Sequence, residues 1–230
     1  PGVPAALAGE ETKAIDNRLE LGKWLVSPDN PLTARVTINR HWHYIFGRGI
    51  VETTEDFGIM GSRPSHPELL DWLAVEFRES GWDIKKLIRL IVTSSTYRQS
   101  AQRVSDKFQK DPDNKYYSFF PRLRLSAELQ RDLLLTASGI LNPEIGGPSV
   151  KPYQPPGLWD ELTGGSTSNS LKRYVMSSGG NQYRRSLYTY WKRTAPPPGM
   201  ITFDASTRDY CTVERQKTST PLQSLILLND

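Results

Sequence analysis

Between Ser65 and Val92 the chain repeats the spacing of a buried helical face twice in succession. This stretch limits the fold more than any other. Leu70, Leu73, Ala74 and Phe77 fall at i, i+3, i+4 and i+7, and Ile84, Leu87, Ile88 and Ile91 repeat that spacing after Gly81 and Asp83. Apolar residues so placed share one side of an α-helix. Gly81 is suited to close the first helix and Asp83 to cap the second. A connection this short predicts a helical hairpin. Just upstream, Ser65 and Glu68 bracket Pro67 in the pattern of a capping box.

The rest of the chain adds helices around that pair. One is expected from about Asp16 to Val26. A second is opened by Asn30 and Pro31, reaches Phe46, and carries Ala34, Ile38, Trp42 and Ile45 on one face. Residues 98–121 read as polar and irregular. Ser126 is placed to cap a helix with Leu133, Ala137, Ile140 and Leu141 on one face, and Thr220-Pro221 opens a final helix. Residues 142–181 hold five Pro and seven Gly among forty positions, too dense a set of breakers for regular structure. Residues 184–191 alternate as a strand does, and Pro196-Pro197-Pro198 reads as extended. The expected architecture is mainly α, a multi-helix domain with a long Gly/Pro-rich irregular insertion at about 142–181 and a small β element. Residues 1–13 read as a linker, and 14–230 as a single domain. Pro1 without a Met and the stop at Asp230, just after the apolar run Leu225–Leu228, suggest a piece truncated at both ends from a larger protein.

Composition removes several classes of function. At 230 residues and 37% hydrophobic content the chain can bury a core without metal or disulfide. Its one cysteine, Cys211, excludes an intrachain disulfide and a Cys-rich metal site. No run approaches the roughly 18 apolar residues of a membrane-spanning helix. The net charge is +4, partly concentrated in residues 182–217, which hold seven Lys/Arg and three Asp/Glu. That is too sparse for the basic face of a nucleic-acid binder, so no nucleic-acid partner is expected. The chain has no Cys-x-x-Cys-His, no phosphate-binding Gly-x-x-x-x-Gly-Lys and no Gly-x-Ser-x-Gly, so no haem attachment, P-loop or nucleophile elbow is expected in this segment. His41 and His43 are two apart on a helix and point in different directions, so no metal site is assigned to them.

What remains is polar groups beside apolar anchors. Arg35, Asn39 and His43 fall on one helical stripe bordering Trp42. They read either as groups satisfying the following loop or as the polar floor of a pocket. His66 stands at a helix start, where an imidazole can serve as a base. The block Tyr183 to Arg193 mixes cations with aromatics, either stacked internally or offered as a platform for a sugar ring or an anion. Asp160 and Glu161, after Trp159, are adjacent carboxylates and a poor acid/base pair for glycoside hydrolysis. The ligand-binding candidates are Asn39, Arg40, Trp42, Arg185, Tyr188, Trp191 and Arg193. The weaker catalytic candidates are His66, Asp56 and Asp204. An enzyme would bring His66 or Asp56 together with Arg185 or Asp204 in one recess. A glycan binder would expose Tyr153, Trp159, Tyr188 and Trp191, and a structural module would bury them.

Three blocks carry a family resemblance. They are Pro31-Leu32-Thr33-Ala34-Arg35-Val36 through Phe46-Gly47-Arg48-Gly49; Asp56-Phe57-Gly58 with Pro64-Ser65-His66-Pro67-Glu68-Leu69-Leu70-Asp71-Trp72 and Thr96-Tyr97-Arg98-Gln99-Ser100; and Tyr183-Arg184-Arg185-Ser186-Leu187-Tyr188 through Lys192-Arg193-Thr194-Ala195-Pro196-Pro197-Pro198 to Thr220-Pro221-Leu222-Gln223. From about Arg18 to Asp230 the chain resembles the planctomycete PSD-one domain, domain-of-unknown-function family 1553. The resemblance implies a non-haem module of a large exported protein, in the periplasm or at the cell surface. It implies that haem c belongs to a cytochrome-c-like domain elsewhere in the polypeptide. The expected partners are other domains of that polypeptide or a polysaccharide. A carbohydrate-active enzyme domain (hydrolase or oxidoreductase subunit) and a structural cell-surface module stay open as alternatives. The family supplies no catalytic residues to carry over.

Overall fold

A computed structural model gives the architecture and describes residues 15–155 and 174–229, together with Leu7 and Gly157. Trp159, Asp160, Glu161 and most of the 1–13 stretch lie outside the described residues. Among the described residues there are eight α-helices, three isolated β-bridges and no sheet. The chain is mainly α, and its β element is limited to those bridges. It divides into two compact units, Pro1–Leu123 and Arg124–Asp230.

The first unit begins with α1 (Arg18–Leu25), capped by Asn17, whose side chain accepts the Glu20 N–H at 3.0 Å. Asn30 accepts the N–H groups of Leu32 and Thr33 at 2.9 and 3.0 Å just ahead of α2 (Thr33–Phe46), whose cap position falls on Leu32 and has no side-chain bond. Ala34, Ile38, Trp42 and Phe46 bury one side of α2. Leu70, Leu73, Ala74 and Phe77 bury one side of α3 (Pro67–Glu79). Asp83 caps α4 (Ile84–Val92) through the N–H groups of Lys85 and Lys86. Leu87 and Ile91 of α4 join the same core, with Ile50, Val51 and Tyr117 from the loops. Each large side chain buried there contributes roughly 1.5–3 kcal/mol.

α2 packs along α3. Three expectations for this unit need correction. Ile84 and Ile88, on the expected buried stripe of α4, are 45% and 39% exposed, and only Leu87 and Ile91 of that stripe are buried. Ser65 does not cap α3. The cap position falls on His66 and has no side-chain bond, while the Ser65 N–H and hydroxyl both donate to the Ile50 carbonyl, at 2.8 and 3.2 Å. The polar stretch after residue 98 contains a short helix, α5 (Ser105–Lys110). A strap at 111–120 follows it. The Asp111 carboxylate accepts the N–H groups of Lys115 and Tyr116 at 2.7 and 3.0 Å. Asn114 exchanges hydrogen bonds with the Phe119 backbone. Asn114 and Tyr117 both adopt left-handed backbone, with φ of 51° and 54°. That conformation is costly away from glycine, and here the local hydrogen bonds hold it.

The second unit contains α6 (Ala127–Ala137), α7 (Pro198–Thr202) and α8 (Pro221–Asn229). Ser126 caps α6 and Pro221 opens α8, as the sequence indicates. The orientation of α6 is the reverse of the expected one. Leu133 and Ile140 are 55% and 49% exposed, and Ala137 is exposed too. Instead Arg131 and Asp132 turn inward. Arg131 donates to the carbonyls of Gln182 (2.8 Å) and Arg184 (2.9 Å), and Asp132 accepts the Ser186 N–H at 2.7 Å. The same bonds explain why 184–191 is not a strand. Backbone groups that a ladder would have used are bonded to α6, and Ser186–Tyr188 tightens into a 3₁₀ turn between the bridges Asn142↔Arg184 and Val150↔Thr189. Pro198 is not extended but opens α7, where a missing N–H costs nothing. Its Met200 packs with Ala127 and Ala205, against Trp191 and Phe203.

Candidate functional site

In the first unit the functional candidates surround the loop that joins α2 to α3. Asn39 is wholly buried. Its Nδ2 donates to the Val51 carbonyl at 2.9 Å and its Oδ1 accepts the Val51 N–H at 2.8 Å. The side chain therefore completes the loop backbone as a neighbouring strand would. Gly49 passes so close that a Cβ there would lie 2.8 Å from both Asn39 amide atoms and 2.4 Å from the Val51 carbonyl oxygen. Trp42 is a core residue, with ring centroids 4.4 Å from Phe46 and 5.3 Å from Tyr117. Arg40 is exposed. These three thus divide among loop bracing, core and solvent and do not form one floor.

Asp56 shapes the far side of the loop. Its Oδ1 accepts the Gly58 N–H at 2.7 Å. The Thr53 hydroxyl donates to the Asp56 carbonyl and accepts the Ser62 N–H. A Cβ on Gly61 would lie 2.1 Å from the Asp56 carbonyl oxygen, so only glycine lets the loop fold back here.

Braced in this way, the loop and the strap enclose a recess of about 250 Å³, lined by Arg48, Ile50, Glu52, Ser62, Arg63, Ser65 and Lys115. Arg48 is anchored, donating to the Glu52 carboxylate at 2.6 Å and to the Asp113 carbonyl at 3.3 Å. His66 stands behind Ser65, with Nδ1 2.9 Å from the Ser65 hydroxyl. Its ring lies 5.5 Å from Tyr117 and 6.1 Å, edge to face, from Tyr116. Tyr116 is 61% exposed. Burial pushes the Tyr117 phenol up, against the opposing pull of Trp42, Ser65 and Arg48 and with the help of Asp111. Its hydroxyl therefore stays protonated and donates to the Arg48 carbonyl, at 3.4 Å. Sequence reasoning did not single out Arg48, Ser62, Arg63, Lys115 or Tyr116. The glycine spacing around Arg48 and Arg63 was the available signal for a shaped loop. Nothing local marks Lys115 or Tyr116, which lie some fifty residues further along.

In the second unit the aromatic faces are already occupied. The Arg184 guanidinium sits 4.0 Å from the Tyr188 ring centroid and that of Arg185 at 5.9 Å. Arg184 is buried and donates to the carbonyls of Glu144, Gly146 and Pro148. The Tyr188 hydroxyl accepts the Gly146 N–H at 2.8 Å, which, with the two arginines, holds that phenol below its ordinary range. Trp191 donates from Nε1 to the Thr207 carbonyl and is covered by Arg208, 4.7 Å from its ring. Arg193 and Tyr153 are exposed. Asp204 accepts from Arg124 and from the Thr218 N–H and hydroxyl. Burial pushes this carboxyl up, but Thr218 and Arg124 outweigh it and hold the carboxyl below the usual range.

The profile of a protein family described as PSD1, a protein of unknown function (DUF1553), matches residues 17–230. The chain belongs to this family. No curated protein and no solved structure matches it. Family membership therefore accounts for the three sequence blocks, and the chemistry has to be read from the geometry. Among the described residues no cluster of three or more His, Cys, Asp or Glu is placed to hold a metal ion. Nor is any described helix long and apolar enough to cross a membrane.

Proposed function

We propose that the chain is a non-haem binding module of an extracytoplasmic protein with a cytochrome-c-like domain elsewhere, and that its ligand is a polysaccharide. The observation that carries this reading is the recess of the first unit, a concave surface lined by hydroxyl and cationic side chains, with the exposed Tyr116 next in the chain to the lining Lys115. Sugar rings offer an apolar face and a rim of oxygens, and an aromatic beside fixed donors complements both. The loop bracing by Asn39, Gly49 and Asp56 makes the recess preformed, so little ordering has to be paid on binding. In this reading Asn39, Trp42 and Asp56 support the site, and the Arg185–Trp191 block holds the second unit together.

The test is affinity electrophoresis or calorimetry of the chain against a polysaccharide panel. Tyr116→Ala, with an unchanged circular dichroism spectrum, should weaken binding by about tenfold, or about 1.4 kcal/mol. Retention that is identical in Tyr116→Ala and wild type would remove the recess from the reading.

The outward leucines of α6 favour a second reading, in which another domain of the same polypeptide docks on Leu129, Leu133 and Leu134, each more than half exposed. Replacing Leu129 and Leu133 by Ser should then weaken association with the remaining domains while the chain stays folded.

A further inference from the structure

We infer that the polysaccharide taken by this recess is anionic, bound through a carboxylate or sulfate ester on the sugar chain at Arg63 and Lys115. This rests on the polysaccharide reading and narrows it to one class of ligand.

Three cations line the recess, Arg48, Arg63 and Lys115, against a single carboxylate, Glu52. Glu52 is spent on Arg48, at 2.6 Å, and Arg48 is further tied to the Asp113 carbonyl. Two positive charges are left over. Among the described residues Arg63 is in no ion pair, and Lys115 has the Tyr116 ring 5.9 Å away and no ion-paired carboxylate. Like charges gathered around a concave surface reinforce one another's field and attract a counter-ion. An oxyanion entering here gains both charges and the neighbouring Ser62 hydroxyl, whereas a neutral sugar gains only that hydroxyl.

The backbone that carries the cations is also held in place. Arg48 lies on the loop braced by Asn39 through Val51. Arg63 follows the Gly61 turn that only glycine can make. Lys115 has its own N–H locked by the Asp111 carboxylate at 2.7 Å. With the backbone already fixed, only the side chains of Arg63 and Lys115 have to be ordered on binding. Planar, forked recognition by Arg63 suits a carboxylate or a sulfate, and the point charge of Lys115 suits either. The shared chemistry is therefore an oxyanion borne on a sugar.

The experiment uses the whole chain at about 0.15 M salt, where long-range attraction is largely screened. The probes are a neutral panel (dextran, xylan and galactan), polygalacturonate for the carboxylate and dextran sulfate for the sulfate ester. At least one anionic polymer should bind about tenfold or more tightly than every neutral one. The pair Arg63→Ala/Lys115→Ala should abolish that preference. A charge-matched pair on α4, Lys85→Ala/Arg89→Ala, should leave it intact. Which anionic polymer binds identifies the substituent. Equal binding of neutral and anionic polymers, unaffected by the Arg63/Lys115 pair, overturns the anionic assignment and leaves the polysaccharide reading standing. Anionic binding lost equally in both charge pairs overturns it as a general effect of net charge. Binding to no polymer overturns the polysaccharide reading itself.

Discussion

In α3 the four residues spaced for one helical side, Leu70, Leu73, Ala74 and Phe77, are all buried. In α6 the corresponding Leu133 and Ala137 stand in solvent, and Arg131 and Asp132 take the inside. The difference follows from what each helix lies against. α3 faces another helix, α2, whose backbone groups are already satisfied by its own hydrogen bonds, so only apolar area is left to gain. α6 faces irregular chain at 182–186, whose N–H and carbonyl groups have no ladder and would otherwise be buried unpaired. Leaving such groups unmade costs about 1–3 kcal/mol each, enough to rival burial of a leucine. Hydrophobic spacing thus identifies an amphipathic helix, and the hydrogen-bonding needs of its neighbour decide which side turns in.

Four measurements would break or sharpen this contrast. The largest effect is expected for Leu73→Ala in α3, a loss of about 2–5 kcal/mol by denaturant unfolding. Arg131→Met keeps the bulk of the side chain but strands the Gln182 and Arg184 carbonyls, and should cost about 1–3 kcal/mol. If it stabilised the chain instead, the polar inside of α6 would be incidental. Asp204→Asn tests the other charge-bonded joint of the second unit. Because the Asp204 carboxyl is held below its unfolded value of about 3.9, its contribution is fully present above that pH. It is lost as the pH falls toward the folded value. Wild-type and variant stabilities should therefore differ at neutral pH and converge below about pH 3.9. The smallest effect belongs to Leu133→Ser, within about 0.5 kcal/mol. A cost there as large as that of Leu73→Ala would mean that the leucine side of α6 is covered within the chain.

Much of the first unit was legible in the sequence. The Asp83 cap and the bonds of Asn30 to the turn ahead of α2 act locally, and a stripe such as Ile38, Trp42 and Leu73 needs only a neighbouring helix to be read correctly. Ser65 was misread because its hydroxyl serves Ile50, fifteen residues away, a partner no local pattern reveals. The strand expected at 184–191 fails for the same reason: the Arg184 carbonyl and the Ser186 N–H are taken by Arg131 and Asp132, which leaves only the pairing of Tyr188 and Tyr190 with Val150. The candidate site shows both cases. Asn39 and Asp56 were noticed because amide and carboxylate stand out among apolar neighbours, and the fold uses them to hold backbone. Arg63 and Lys115 look like ordinary surface charges until the Gly61 turn and the strap bring them to one recess.

The strap at 111–120 gives surface and interior a common mechanical element. Within three consecutive residues it sets Lys115 at the recess, Tyr116 in solvent beside it in the chain, and Tyr117 in the core, against Trp42 and Phe46. Whatever immobilises the first two also restrains the third. Occupancy of the recess should therefore be felt as slower hydrogen exchange of the Lys115, Tyr116 and Phe119 amides, whose acceptors are the Asp111 and Asn114 side chains. Those three protons would serve as an internal gauge of what the surface holds.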